Sequence, residues 1–189
     1  MKSERITLWT RQVPEVLEEL NASGVYTVKE EYIQKKNGDI TSYYLDLYKW
    51  FTLEAKKYIS IDDSLKYPVW LSVNQELMLQ PVENSVILEL EIPTSEILII
   101  NENAWDYRVN YWYVPIDNED EQNHNFMLKN NGIANESEIT MGNKGIYYPF
   151  IKNKIIKSWE RVFTLPPKDN QEVATVWQLK KEWIKKVYC

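Results

Sequence analysis

Residues 6–24 read ITLWTRQVPEVLEELNASG. Ile6 to Thr10 is β-branched and aromatic and alternates in the manner of a strand. Pro14 suits the first turn of a helix, where its missing N–H leaves no bond unmade. Val13, Val16, Leu17 and Leu20 then fall at helical spacing with glutamates between them. Asn21-Ala22-Ser23-Gly24 is a stop. The chain therefore opens strand, turn, helix, with Thr10, Arg11 and Gln12 at the strand's exit.

Reading outward, 25–32 fits either strand or helix, and Asn37-Gly38-Asp39 marks a turn. From Thr41 to Tyr58 the pattern is helical: Tyr44, Leu45, Tyr48, Phe51 and Ala55 share a face. Tyr67 to Ser72 reads as a strand, followed by a short helix or turn over 74–79. Val86, Leu88, Leu90 and Ile92 alternate with Ile87, Glu89 and Glu91, which predicts a strand ended by Pro93. Ile97 to Ile100 is a short buried strand, and the aromatic alternation from Tyr107 to Val114 predicts another. Residues 117–145 are polar, with a helix expected around 124–129. A late strand is expected over 155–165 and a terminal helix over 173–184, although 174–177 also fits a strand. Strands and helices mix without regular βαβ alternation. The expectation is one α+β domain over 1–189, a mainly antiparallel sheet with packed helices.

The residue inventory narrows the chemistry. There is one Cys, Cys189, and one His, His124, so a thiolate or histidine-rich metal site has no ligands to draw on. Any catalytic triad would need His124 as its base. Among Gln122, Asn123 and Asn125 that residue reads as a solvated histidine. With 5 glycines there is no P-loop and no dinucleotide-binding glycine fingerprint. No apolar run approaches the ~20 residues of a membrane span. Met1-Lys2-Ser3-Glu4-Arg5 lacks the apolar stretch of a signal peptide, so the expected location is the cytoplasm. The formal net charge of −6 is uneven: residues 142–189 carry ten Lys/Arg and four Asp/Glu. That basic C-terminal segment is open to a polyanion, to the acidic body, or to water. Trp and Tyr number 8 and 13, against 4 Phe, so most rings carry a polar handle.

Two resemblances follow from particular strings. The runs 8–17 (LWTRQVPEVL), 110–115 (NYWYVP) and 155–163 (IIKSWERVF) resemble an uncharacterised family of bacterial cytoplasmic proteins along the whole chain. More distantly, the layout resembles the ADP-ribosyltransferase fold. There a first strand ends in His or Arg and runs straight into a helix, a middle strand supplies Ser, Thr or Tyr, and a later strand supplies Glu. Here the first strand ends in Arg11 and the strand 67–72 ends in Ser72. Glu160 stands in the expected late strand. The chain departs from that pattern in having no strand-end His, no Ser-Thr-Ser string and no Glu or Gln paired two residues before Glu160.

The second resemblance implies transfer of ADP-ribose from NAD to a macromolecular acceptor, nucleic acid or protein, in a toxin or defence effector. Arg11 and Thr10 would hold the cofactor, since guanidinium grips a pyrophosphate bidentately. Ser72 and Asn110 would support it, and Tyr44, or one of Tyr43, Tyr48 and Trp112, would stack the nicotinamide. Glu160 would be the catalytic carboxylate, stabilising the ribose cation as nicotinamide leaves. The residues also carry plainer readings. Arg11 can be a surface charge, Ser72 a helix cap, Glu160 part of an exposed ion pair, and the 43–51 helix simply core. The competing function is a non-catalytic module whose aromatic cleft holds a nucleotide, an RNA end or a peptide.

Overall fold

A computed structural model describes residues 4–167 and 170–188. Cys189, the lone thiol, lies outside the described residues. The chain forms two compact units. The first comprises 1–99 and 172–189, and the second 100–171. No helix among the described residues is long and apolar enough to cross a membrane.

In the first unit β1 (Arg5–Gln12) leads through Val13 into α1 (Pro14–Ser23), as the opening motif predicts. Gly24, at φ 81, closes α1 by donating its N–H to the Leu20 carbonyl. That left-handed turn is open to glycine without strain. β2 (Val25–Tyr26), α2 (Glu30–Asn37) and α3 (Thr41–Ala55) follow, so the ambiguous 25–32 stretch divides between strand and helix. β3 (Val69–Ser72), β4 (Val86–Pro93) and β5 (Leu98–Asn101) complete the N-terminal portion.

β6 (Glu172–Val176), β7 (Leu179–Lys180) and β8 (Ile184–Tyr188) occupy the C-terminal stretch. The expected terminal helix is thus corrected to strands. Its β-branched Val173, Thr175 and Val176 satisfy their backbone by pairing antiparallel with β3, a long-range gain that local helical spacing does not reveal. The sheet order is β5-β6-β3-β1-β4-β8, and β2 pairs with β7 separately. β1 lies antiparallel between β3 and β4, with Trp9 opposite Ser72 and Leu8 opposite Leu90. Leu8, Leu71, Leu88, Leu90, Ala174 and Val176 share one core with Val16 and Leu20 of α1. Alternation along each strand sends these residues to one face, and the amphipathic helix covers it.

The second unit is helical: α4 (Glu102–Val109), α5 (Asn118–Asn130), α6 (Ser137–Thr140), α7 (Pro149–Ser158) and α8 (Arg161–Thr164). Two expected strands are corrected here. Residues 107–114 begin inside α4, whose Asn101 cap accepts from the Ala104 N–H, and whose Ala104, Trp105 and Arg108 are buried at helical spacing. Tyr111 then takes a left-handed φ of 60, which no strand sustains. Residues 155–165 form the end of α7 and α8. Pro149 starts α7, and Ile151, Ile155 and Ser158 bury one stripe of it. The expected helix near 124–129 is α5, extended by a turn and a half toward its Asp117 cap.

Candidate functional site

At the exit of β1 both Thr10 and Arg11 are tied to the chain by hydrogen bonds. Thr10 is 5% exposed and follows Leu8 on the core side of the pleat. Its hydroxyl donates to the Trp70 carbonyl at 2.9 Å and accepts from Gln12 Nε2 at 2.8 Å. Arg11 points to the other face, and its guanidinium donates to the Gln80 carbonyl at 2.9 Å.

Ser72 sits at the end of β3, opposite Trp9 on one side and Val173 on the other. It does not cap the following turn. Asn74 does so, its side chain accepting from the Glu76 N–H. The strand beside Ser72's strand is therefore β6, and β6 starts at Glu172. Glu172 alternates in step with Ala174 and Val176, so it lies on the face of Leu8 and Thr10, while Val173 shares the face of Ser72. Sequence reasoning missed Glu172. The available signal was Val173-Ala174-Thr175-Val176, a late apolar run opened by a carboxylate.

Tyr44 packs into a chain of rings along α3. It meets Tyr43 edge-on at 5.4 Å and Tyr48 at 5.8 Å. Tyr48 and Phe51 both contact Trp70, and Phe51 stacks on Trp177 at 6.1 Å with 15° between planes. Trp177 Nε1 donates to Thr52 Oγ1 at 2.8 Å. Near the end of this chain of rings is a cavity of about 230 Å³ bordered by Glu30, Ser64, Lys66, Tyr67 and Trp177. Tyr67 is 5% exposed, and its hydroxyl donates to Glu30 Oε2 at 2.8 Å. Burial, then that bond to a carboxylate, pushes the Tyr67 hydroxyl up to about 12. The phenol therefore stays neutral and the Glu30 carboxylate keeps a donor. The cavity has room for one planar ring or one sugar, with aromatic walls and polar groups of both signs.

The remaining expected site residues belong to the second unit. Glu160 is exposed between α7 and α8, and its carbonyl accepts from the Phe163 N–H. It is not on a strand, because the flanking residues wind into helices. Asn110 ends α4 and is likewise not in a strand. Its Nδ2 donates to the Asp106 carbonyl at 2.8 Å, a local bond that closes the helix. The structure thus brings Thr10, Arg11, Ser72 and Tyr44 into the first unit and leaves Glu160 and Asn110 in the second.

His124 corrects another expectation. It is 2% exposed, on α5, not solvated. Its ring stacks on Tyr113 with centroids 4.0 Å apart, and Nε2 lies 3.0 Å from Glu136 Oε2. Glu136 also accepts from the Tyr113 N–H at 2.8 Å. The Tyr113 hydroxyl donates to both oxygens of Asp120, which also meets Arg161 at 3.0 Å. Burial by itself would raise the Asp120 carboxyl. The Ile116 N–H, the Tyr113 hydroxyl, Arg161 and Lys154 outweigh it and hold the group below the usual carboxylate range. This network satisfies polar groups inside a helical core and holds 113–116 against α5. The spacing Asp120-His124-Leu128, at i, i+4 and i+8, was the legible sign, hidden in polar surroundings. Among the described residues no three His, Cys, Asp or Glu side chains are grouped to hold a metal.

Comparison with curated proteins and with solved structures returns no match. The sequence matches a family model described as a domain of unknown function, DUF3841, over residues 7–185, and the chain belongs to that family.

Proposed function

We propose that the chain is an ADP-ribosyltransferase-like domain that binds NAD on its first unit, with Glu172 in the catalytic role expected of Glu160. One observation carries the reading. The strand that exits at Thr10-Arg11-Gln12, the strand that ends in Ser72 and the strand that opens with Glu172 are consecutive neighbours, β1, β3 and β6. The resemblance asks for a cofactor-holding strand, a hydroxyl-bearing strand and a carboxylate-bearing strand, and those three adjacent strands answer it in that order. The immediate run of β1 into α1, closed at Gly24, agrees with it.

The chemistry suits these groups. The bond from the ribose C1′ to the nicotinamide nitrogen breaks, and the electron pair leaves with neutral nicotinamide. C1′ becomes cationic, and a carboxylate beside the ribose hydroxyls stabilises it. An acceptor nucleophile then bonds to C1′ and gives up its proton to the carboxylate or to water. Glu172 is half-buried and takes the reacting role. Thr10, buried on the same face, acts through its bonds to the Trp70 carbonyl and Gln12 in fixing the exit of β1, and Arg11 and Ser72 face the other side. Arg11 retains donors for the pyrophosphate beyond the one used on Gln80. Five residues of β6 at about 3.3 Å each separate Glu172 from Trp177 by about 16 Å, which suits the second base of the dinucleotide near the Tyr67–Trp177 cavity. Tyr44 supports the Trp177 wall through Tyr48, Trp70 and Phe51.

Calorimetry with NAD and transfer of label from labelled NAD test the reading. Glu172→Gln should abolish transfer while NAD still binds, and Glu160→Gln should leave both intact. Thr10→Val should weaken NAD binding more than Ser72→Ala. Absence of heat with NAD, or full transfer by Glu172→Gln, defeats the proposal in favour of the binding module. A toxin or defence role adds one expectation: induced expression in a bacterium slows growth, and Glu172→Gln relieves it.

A further inference from the structure

Large apolar side chains crowd one corner of the second unit. Ile146, Tyr147 and Phe150 are 77%, 79% and 75% exposed, and Met141 is 57% exposed. Clustered exposure on this scale marks a contact surface. The corner is also cationic: residues 141–157 contain four lysines and no Asp or Glu, in a chain of formal net charge −6. Lys144 is paired with Glu138 and Lys154 lies over the Tyr113 ring, whereas Lys157 is exposed and Lys152 half-buried.

The corner is built rather than loose. Gly145 is buried where a Cβ would strike the Ile139 carbonyl, and a Cβ on Gly142 would strike that of Glu138. The Tyr148 hydroxyl donates to the Asn131 carbonyl at 3.2 Å, and the Lys152 N–H to the Tyr148 carbonyl at 2.9 Å. The exposed rings are therefore presented in a set geometry, which lowers the ordering cost of binding. On α7 the inner stripe is Ile151, Ile155 and Ser158. Phe150 and Lys157, seven residues apart, fall on a second stripe about 10 Å long.

We propose that this corner binds single-stranded nucleic acid, with Tyr147 and Phe150 stacking on unpaired bases and Lys152 and Lys157 meeting phosphates. Exposed rings beside lysines are the combination that holds single strands, and here Glu138 is neutralised by Lys144. A duplex hides its base faces from such rings, so the preference is for unpaired strands. Ile146 and Met141 extend the apolar floor under the bases. The inference concerns the second unit and stands whether or not NAD binds the first.

Fluorescence anisotropy with labelled oligo-dT and oligo-U of about 15 nucleotides, at about 50 mM salt, tests it. Both strands should bind, and the duplex of the same length should bind markedly less. Tyr147→Ala and Phe150→Ala should each weaken binding roughly tenfold. Lys157→Gln should flatten the dependence of log affinity on log salt by about one phosphate contact. All three positions are exposed, so unchanged circular dichroism should accompany each variant. No binding, equal binding of the duplex, or indifference to both ring variants overturns the proposal. So does flotation with phosphatidylglycerol vesicles that is lost in Phe150→Ala while oligonucleotides fail to bind.

Discussion

At the residue scale, two side chains decide most. Glu160 and Glu172 are twelve positions apart, yet only Glu172 opens a strand, and that strand borders Ser72's. The Gln variants of the two therefore give opposite outcomes in the transfer assay if the proposal holds. His124 is the other. Its removal leaves Glu136, whose side chain is 14% exposed, without the ring nitrogen 3.0 Å away, and strips Tyr113 of its stacking partner. His124→Ala should cost about 2–3 kcal/mol by thermal or denaturant unfolding, and a loss below about 0.5 kcal/mol would show the pair to be idle. Asp120 supplies a pH test. Its carboxyl is held low in the folded chain, so its contribution is complete above the ordinary carboxylate range and fades as pH falls through the lowered value. The melting temperatures of the protein and of Asp120→Asn should converge on acidification. A constant gap would contradict that linkage. The burial of His124 left only a faint sign in the sequence, its four-residue spacing with Asp120 and Leu128, because its immediate neighbours are polar and burial on a helix depends on positions three and four away.

At the element scale, legibility tracked how far the stabilising partner lay along the chain. The strand 86–93 and the helix 41–55 were readable because their apolar periods are regular and local. The segment 155–165 was not. Its Trp, Val, Phe and Thr favour strands by propensity, but Trp159 Nε1 donates to the Trp112 carbonyl and the Val114 N–H to Ser158 Oγ, contacts compatible with helix. Tertiary packing outweighs a propensity worth at most about 1 kcal/mol. Two glycines offer a comparison between elements. Gly24 ends α1 at φ 81 with open space around it, so Gly24→Ala should cost about 1 kcal/mol through backbone strain alone. Gly145 has no positive φ, but its added Cβ would strike the Ile139 carbonyl oxygen, so Gly145→Ala must move backbone and should cost about 2–3 kcal/mol. Urea unfolding of both variants checks the order, and equal losses would mean the 143–146 turn yields easily.

At the scale of the whole molecule, the second unit is an insertion between neighbouring strands. The chain leaves β5, forms 102–171, and returns as β6, and the Glu102 N–H donates to the Gln171 carbonyl at 2.9 Å. Ends this close permit excision. Replacing 103–170 by a short Gly-Ser linker should leave a sheet that unfolds cooperatively and retains heat with NAD, while oligonucleotide binding disappears. An excised chain that binds oligonucleotides as before would displace the inferred surface, and one that folds without binding NAD would displace the first-unit site. The residue inventory and local periodicity determined the α+β class, the strand-to-helix opening and the want of ligands for thiolate or histidine-rich metal chemistry. These properties need only a count or contiguous residues. Strand neighbours, the carboxylate beside Ser72 and the burial of His124 were decided by tertiary structure. Each depends on hydrogen bonds or packing between residues far apart in the chain, where no local pattern records the partner.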